Sequence, residues 1–210
     1  MGTTRKIAWF VFAFLAIGVS LYPFLYIFYG FKGIDVGLRL SKDTELLGNL
    51  LWNVGFYGHV TFGGIALFTG WSQFSKKLRR KRLQLHRNLG KVYVFSVLVS
   101  GICGVGIGLF ATGGWVPALG FVLLGLVWLY TTFSAYQAIR KKDINLHEGM
   151  MIYSYAACFA AVTLRLWLPL LQLTIGEFLL AYKIVAWLCW VPNLIFAGFL
   201  VRKKKLLLID

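Results

Sequence analysis

The sequence predicts an all-α integral membrane bundle of about six transmembrane helices, one domain over residues 1–210. Three observations predict it. Hydrophobic residues are 59% of the chain against 14% charged, with a mean hydropathy of +0.74, whereas a soluble domain carries about 25% charged residues to cover its surface. Apolar runs long enough to cross about 30 Å of hydrocarbon recur along the chain. The basic residues gather in short segments between those runs.

The first span covers about 7–31. Arg5 and Lys6 before it imitate a signal peptide, but the apolar run exceeds the roughly 7–15 residues of such a leader, so it reads as a retained anchor. Pro23 lies well inside it and predicts a kink. The second span, 49–75, contains FGGIALFTG; these glycines do not join a strand to a helix, so they read as packing and not as a nucleotide loop. In the third, 89–112, Ser100, Gly104 and Gly108 recur every fourth residue and share a helical face, which lets another backbone approach closely. The fourth, 115–139, has Pro117 suited to its first turn. The fifth covers 147–170 with Pro169 at its end, and the sixth 178–201. Only short connections remain, with no room for a soluble domain.

Orientation follows from the basic residues. Arg5, Lys6, the eight in Lys76–Lys91, the three at 140–142 and the four at 202–205 make seventeen of 22. The opposite side has Lys32, Arg39 and Lys42. Both termini, the 76–88 loop and the 140–146 loop are therefore expected to be cytoplasmic, in the cell's inner membrane. The net charge of +15 then points to anionic inner-leaflet lipid at the 76–88 loop, and not to nucleic acid. Cys103, Cys158 and Cys189 lie within apolar runs, which suits neither a disulfide framework nor a zinc site.

Spans two and three echo spans four and five. WSQFSKK then LHRNLGKVY in the first unit resembles AYQAIRKK then LHEGMMIY in the second, pairing Gln73 with Gln137 and His86 with His147. Both units run in the same direction, so the echo predicts a parallel repeat about an axis along the membrane normal.

Ionisable groups inside a membrane are costly and are functional candidates by default. His86 and His147 open two helices at the cytoplasmic face. Brought together, two imidazoles would bind one b-type haem, or border a quinone; alternatively they are interfacial histidines at helix starts. His59 lies some 24 Å from that face at about 1.5 Å per residue, too far to share their metal. Arg165 and Lys183 fall near the outer ends of spans five and six, with Glu177 at the mouth of the latter. With His59 they would line an outward-facing cavity for an anion or a lipid head group; otherwise they snorkel separately to the interface. No GxSxG, HExxH or P-loop signature occurs.

The stretches HVTFGGIALFTGWSQF, LHRNLGKVY and LHEGMMIYSYAACFAAVTLRLWLPL resemble the bacterial predicted membrane proteins called domain of unknown function 2306, over about residues 55–170. The resemblance implies a compact multi-pass protein and aligns His59, His86, His147 and Arg165 with the family pattern, whose activity is unassigned. The chain departs from that pattern after His147, with Glu148, Gly149 and Met150, and with Tyr153 in place of an arginine before Ser154.

Three functional classes fit the sequence. The preferred one is a redox protein holding haem or a quinone through His86 and His147. The others are a transporter or binder of a small anionic or lipidic ligand, and an accessory subunit that works in a membrane complex or homo-oligomer.

Overall fold

The computed structural model describes the backbone of residues 3–206 and the side chains of residues 7–203. The basic side chains of Arg5, Lys6, Lys204 and Lys205, used above to orient the chain, lie outside the described ones. The chain is all-helical: α1 (Thr3–Ser20), α2 (Tyr22–Phe31), α3 (Thr44–Gly48), α4 (Leu50–Gly70), α5 (Lys76–Lys81), α6 (Leu83–Gly108), α7 (Trp115–Arg140), α8 (Ile144–Cys158), α9 (Ala160–Ile175), α10 (Phe178–Leu188) and α11 (Val191–Leu206). Short 3-10 turns occupy Gly37–Ser41 and Trp71–Phe74.

Among the described residues five helices are long and apolar enough to cross a membrane: Ile7–Phe31, Leu83–Gly108, Trp115–Arg140, Ile144–Ile175 and Phe178–Lys203. Helix α4, 21 residues long, is not among them; Asn53, His59 and five glycines lower its hydropathy. Large apolar side chains remain exposed along the outside of the bundle, Phe14 on α1, Phe24 on α2, Leu173 on α9 and Phe196 on α11 among them. Such a surface suits lipid, because the helical backbone already satisfies its own polar groups.

Local chemistry sets the helix ends. Asn49, Ser75 and Asp143 each accept a backbone N–H three residues on, at 3.0, 3.2 and 2.9 Å, and so cap α4, α5 and α8. Pro23 stands within the first two positions of α2, after an interruption at Leu21. Its missing N–H breaks the ladder where the sequence expects a kink. A second interruption, at Cys189–Trp190, precedes Pro192. The break at Phe159 between α8 and α9 has no proline; there the Val162 N–H turns back to the Phe159 carbonyl at 2.9 Å, a tightened turn. Pro169 does not end its helix, contrary to the sequence reading: it lies inside α9, which continues to Ile175. Pro169 is exposed on that helix.

Packing follows small residues. A Cβ added at Gly55 would meet Ile107 at 3.0 Å, at Gly58 the Cys103 sulfur at 3.0 Å, and at Gly63 the Ser100 hydroxyl at 3.1 Å. Helices α4 and α6 therefore run antiparallel in close contact over most of their length. Around this pair α1 and α2 pack on α4, α7 on α6, α8 and α10 on α7, and α11 on α8. The central core joins Leu67, Tyr93, Val97, Trp128 and Tyr155. A second cluster gathers Tyr182, Val185 and Cys189, and a third Tyr26, Trp52 and Phe56. At the centre, Tyr93, Thr132 and Ser154 of three different helices share hydrogen bonds of 2.7 and 2.6 Å through the Ser154 hydroxyl.

Candidate functional site

The three apolar clusters do not close on one another, and a cavity of about 210 Å³ remains between them. It lies toward the end of the bundle that carries residues 32–49, and residues from all three clusters line it. The glycines at 63, 64, 101, 104, 108 and 125 form much of its wall. These are small because the helices approach closely, and their missing side chains also leave the space. No lining residue is acidic; Arg165, His59 and Lys42 supply the charged and titratable nitrogen.

Arg165 enters from α9. Its Nη1 donates to the Ala161 carbonyl at 2.7 Å, one turn back along the helix. Its guanidinium lies over the Tyr22 ring, 4.3 Å from the centroid. Its Nε is buried without a hydrogen-bond partner. Trp52, which lines the same cavity, likewise has a buried Nε1 without one. Two donors at one cavity thus lack an acceptor, and buried donors are ordinarily satisfied.

His59 lines the same cavity from α4. Its Nδ1 lies 2.9 Å from the Ser100 carbonyl, and the Ser100 hydroxyl donates to the His59 carbonyl at 2.8 Å. Gly104 backs the ring, where a Cβ would stand 2.7 Å from Nδ1. The Ser100/Gly104 face foreseen as a packing stripe therefore also seats this histidine.

The connection after α2 covers the cavity. Arg39, 9% exposed, donates from Nε to Asp35 and from Nη1 to Asn53, each at 2.7 Å, and stands over the rings of Trp52, Phe56 and Tyr57. Lys42 donates to the Phe110 carbonyl, and Ser41 meets Thr112 at 3.1 Å. Burial holds the Lys42 ammonium below the usual lysine range, against an opposing pull from Asp43. Leu38 and Lys42 close the lining on this side.

The structure brings His59 and Arg165 to one cavity and leaves the other two expected members out of its lining. Lys183 is half-buried on α10 and lies along Gly113, while its neighbour Tyr182 faces the cavity. Glu177 is exposed in the turn before α10. Trp52, Tyr26 and Lys42 were not foreseen. Aromatic residues are too numerous here, with 18 Phe, 10 Tyr and 8 Trp, for any one to stand out. The only advance sign was the lysine's place in a short connection.

His86 and His147 stand at the opposite, basic end, each in the first turn of its helix. Neither lines the cavity. His147 Nδ1 lies 2.9 Å from the Ala135 carbonyl, which orients its ring. His86 Nδ1 is buried without a partner, and each ring is within reach of the other's charge. Arg79 pairs with Glu148 beside them. The two halves of the echo differ in detail here, since Gln73 is buried and Gln137 exposed. No group of three or more His, Cys, Asp or Glu residues suited to a metal occurs among the described residues.

No curated protein and no solved structure matches this chain. The family model of the predicted membrane proteins called domain of unknown function 2306 matches residues 56–201, a stretch that contains α6 to α10, most of α4 and α11, and His59, His86, His147 and Arg165. The chain belongs to that family of membrane proteins.

Proposed function

We propose that this multi-pass membrane protein binds, and in its cellular role transports or presents, a small anionic or lipidic ligand in the cavity at Arg165. One observation carries the reading: a half-buried arginine whose Nε is itself buried and unpartnered, on a cavity with no acidic lining. Arginine stays charged at any relevant pH, and an unpaired buried charge costs several kcal/mol. The Tyr22 ring returns about 0.5–2 kcal/mol of that, and the bond to Ala161 about 1.5–3. A monoanion about 4 Å away would supply about 4 kcal/mol more at an effective dielectric near 20. A neutral ligand would not.

Six crossings with both termini cytoplasmic suit this reading best. Helix α4 lies antiparallel along α6, and 21 residues rise about 31 Å, the thickness of the hydrocarbon core. The basic residues of α5 and of Arg140–Lys142 then meet the inner leaflet, and the cavity opens toward the outer side. The two helical hairpins α4/α6 and α7/α8 would form the parallel repeat.

The test uses hexyl sulfate and hexanol with purified protein in lipid nanodiscs, read by the fluorescence of Trp52 and Trp128 in the cavity wall. Hexyl sulfate should bind and Arg165→Gln should weaken it a hundredfold or more, while hexanol binds poorly to both. Equal binding of the two ligands, or of hexyl sulfate to both proteins, would remove the reading.

A second reading rests on the unpartnered Nδ1 of His86 near His147. Two histidine ligands suit a b-type haem, whose porphyrin supplies the other four iron ligands, better than a free ion. When bound, haem would supply one-electron chemistry, and a quinone beside the same histidines is the related alternative. Protein purified from haem-supplied cells should then show a Soret band that His86→Ala removes. A colourless preparation would end the haem reading.

A further inference from the structure

This inference rests on the ligand reading above and concerns what accompanies the anion. The Ser100 carbonyl, 2.9 Å from His59 Nδ1, only accepts, so Nδ1 carries a proton and the neutral ring presents a lone pair at Nε2. Both of the ring's hydrogen bonds run through Nδ1, and Nε2 takes part in neither. Ser100 holds the ring and Gly104 blocks its retreat toward α6, so the ring stays at the cavity wall.

The titratable and charged groups around His59 come from every element packed on it. They are Arg165 from α9, Tyr22 and Tyr26 from α2, Tyr57 from α4 itself, Cys103 from α6, Cys158 from α8, Tyr182 from α10, Cys189 from the break after α10 and Lys42 from the connection after α2. Helix α1 adds none among its described side chains. Among the described residues no carboxylate lines the cavity to hold a proton on this imidazole.

An anion seated at Arg165 changes that. One oxygen of a carboxylate would accept the Arg165 Nε–H. Its second oxygen would then face the lone pair of Nε2, an acceptor against an acceptor, until a proton enters between them. We propose that the site takes a small monocarboxylate together with one proton, shared between the ligand's second oxygen and Nε2 of His59. The proton comes from the acid form of the aqueous buffer, which is left as its conjugate base, and no other bond forms or breaks. Size agrees with a small ligand: a cavity of about 150 Å³ holds benzene, so one of about 210 Å³ suits a ring-sized acid and not a whole phospholipid.

Titration calorimetry of benzoate into the protein in nanodiscs tests this, in buffers of low and high ionisation enthalpy at pH 7 to 8. The wild type should take up about one proton per benzoate, and affinity should fall as pH rises, by up to tenfold per unit. His59→Gln keeps a polar amide that does not titrate; it should bind benzoate with no proton uptake and a flat pH profile. Arg165→Gln should lose benzoate, and Arg165→Lys, which keeps the charge, should bind it weakly, so that a folding defect in the former cannot mislead. Wild-type binding without proton uptake, or uptake that persists in His59→Gln, overturns the shared proton and leaves the Arg165 reading standing. Hexyl sulfate binding without benzoate binding overturns the carboxylate class alone. Benzoate binding that survives Arg165→Gln overturns both.

Discussion

At the residue scale, the site depends on the seating of His59. A Cβ at Gly104 would stand 2.7 Å from Nδ1, inside contact distance, and Nδ1 lies 2.9 Å from the Ser100 carbonyl. Gly104→Ala should therefore push the imidazole off the Ser100 carbonyl and destabilise the protein by about 1–3 kcal/mol, the usual cost of overpacking. Gly106, two residues on, has nothing within 4 Å of an added Cβ, so Gly106→Ala should be neutral or slightly stabilising in the same helix. Thermal unfolding of the two purified variants makes the comparison; equal midpoints would mean that the ring is not held as described. His59 and Arg165 were legible in the sequence because a titratable group in an apolar run is visible in one dimension. That Lys183 stays out of their cavity was not, because one residue along a helix turns a side chain by about 100°. Tyr182 faces the cavity, and so Lys183 points away from it.

At the element scale, hydropathy located the five helices long and apolar enough to cross, and the kink expected at Pro23 matches one of three breaks. Pro23 and Pro192 each stand just inside the segment that resumes after an interruption, as a residue without an N–H should. The break at Phe159 left no local mark. Phe159 stacks on Phe12 of α1 at 5.1 Å and Thr163 donates to the Cys189 carbonyl of a neighbouring strand of chain, so the tightened turn answers to tertiary contacts. It matters for the site, because Ala160, Ala161 and Arg165 follow it and all line the cavity. Helix starts were harder to read. Basic residues lower a hydropathy window, so the third span was expected from 89 whereas α6 begins at Leu83. Long basic side chains carry their charge to the interface while the backbone stays helical, and His86 consequently sits within the helix and not before it.

At the scale of the whole molecule, the sidedness of the connections turns on whether α4 crosses. Composition argues weakly for it, since Asn53, His59 and five glycines dilute its apolar character. Packing argues strongly. Gly55 faces Ile107, Gly58 faces Cys103, Gly63 faces Ser100 and Gly70 faces Tyr93, so α4 matches α6 in depth from one end to the other. A helix that shares the whole length of a crossing partner shares its two faces as well. If α4 crosses, residues 32–49 and 71–82 lie on opposite sides; if it does not, they lie on the same side. Glu45 and Arg80 are exposed in those two connections, whereas the native Cys158 and Cys189 are buried and Cys103 is half-buried between helices. With Glu45→Cys, a membrane-impermeant maleimide should label intact spheroplasts, and with Arg80→Cys it should label only after permeabilisation. Labelling of both from the same side would leave α4 outside the set of crossing helices, and the cavity at Arg165 would then have to be reached from a different face.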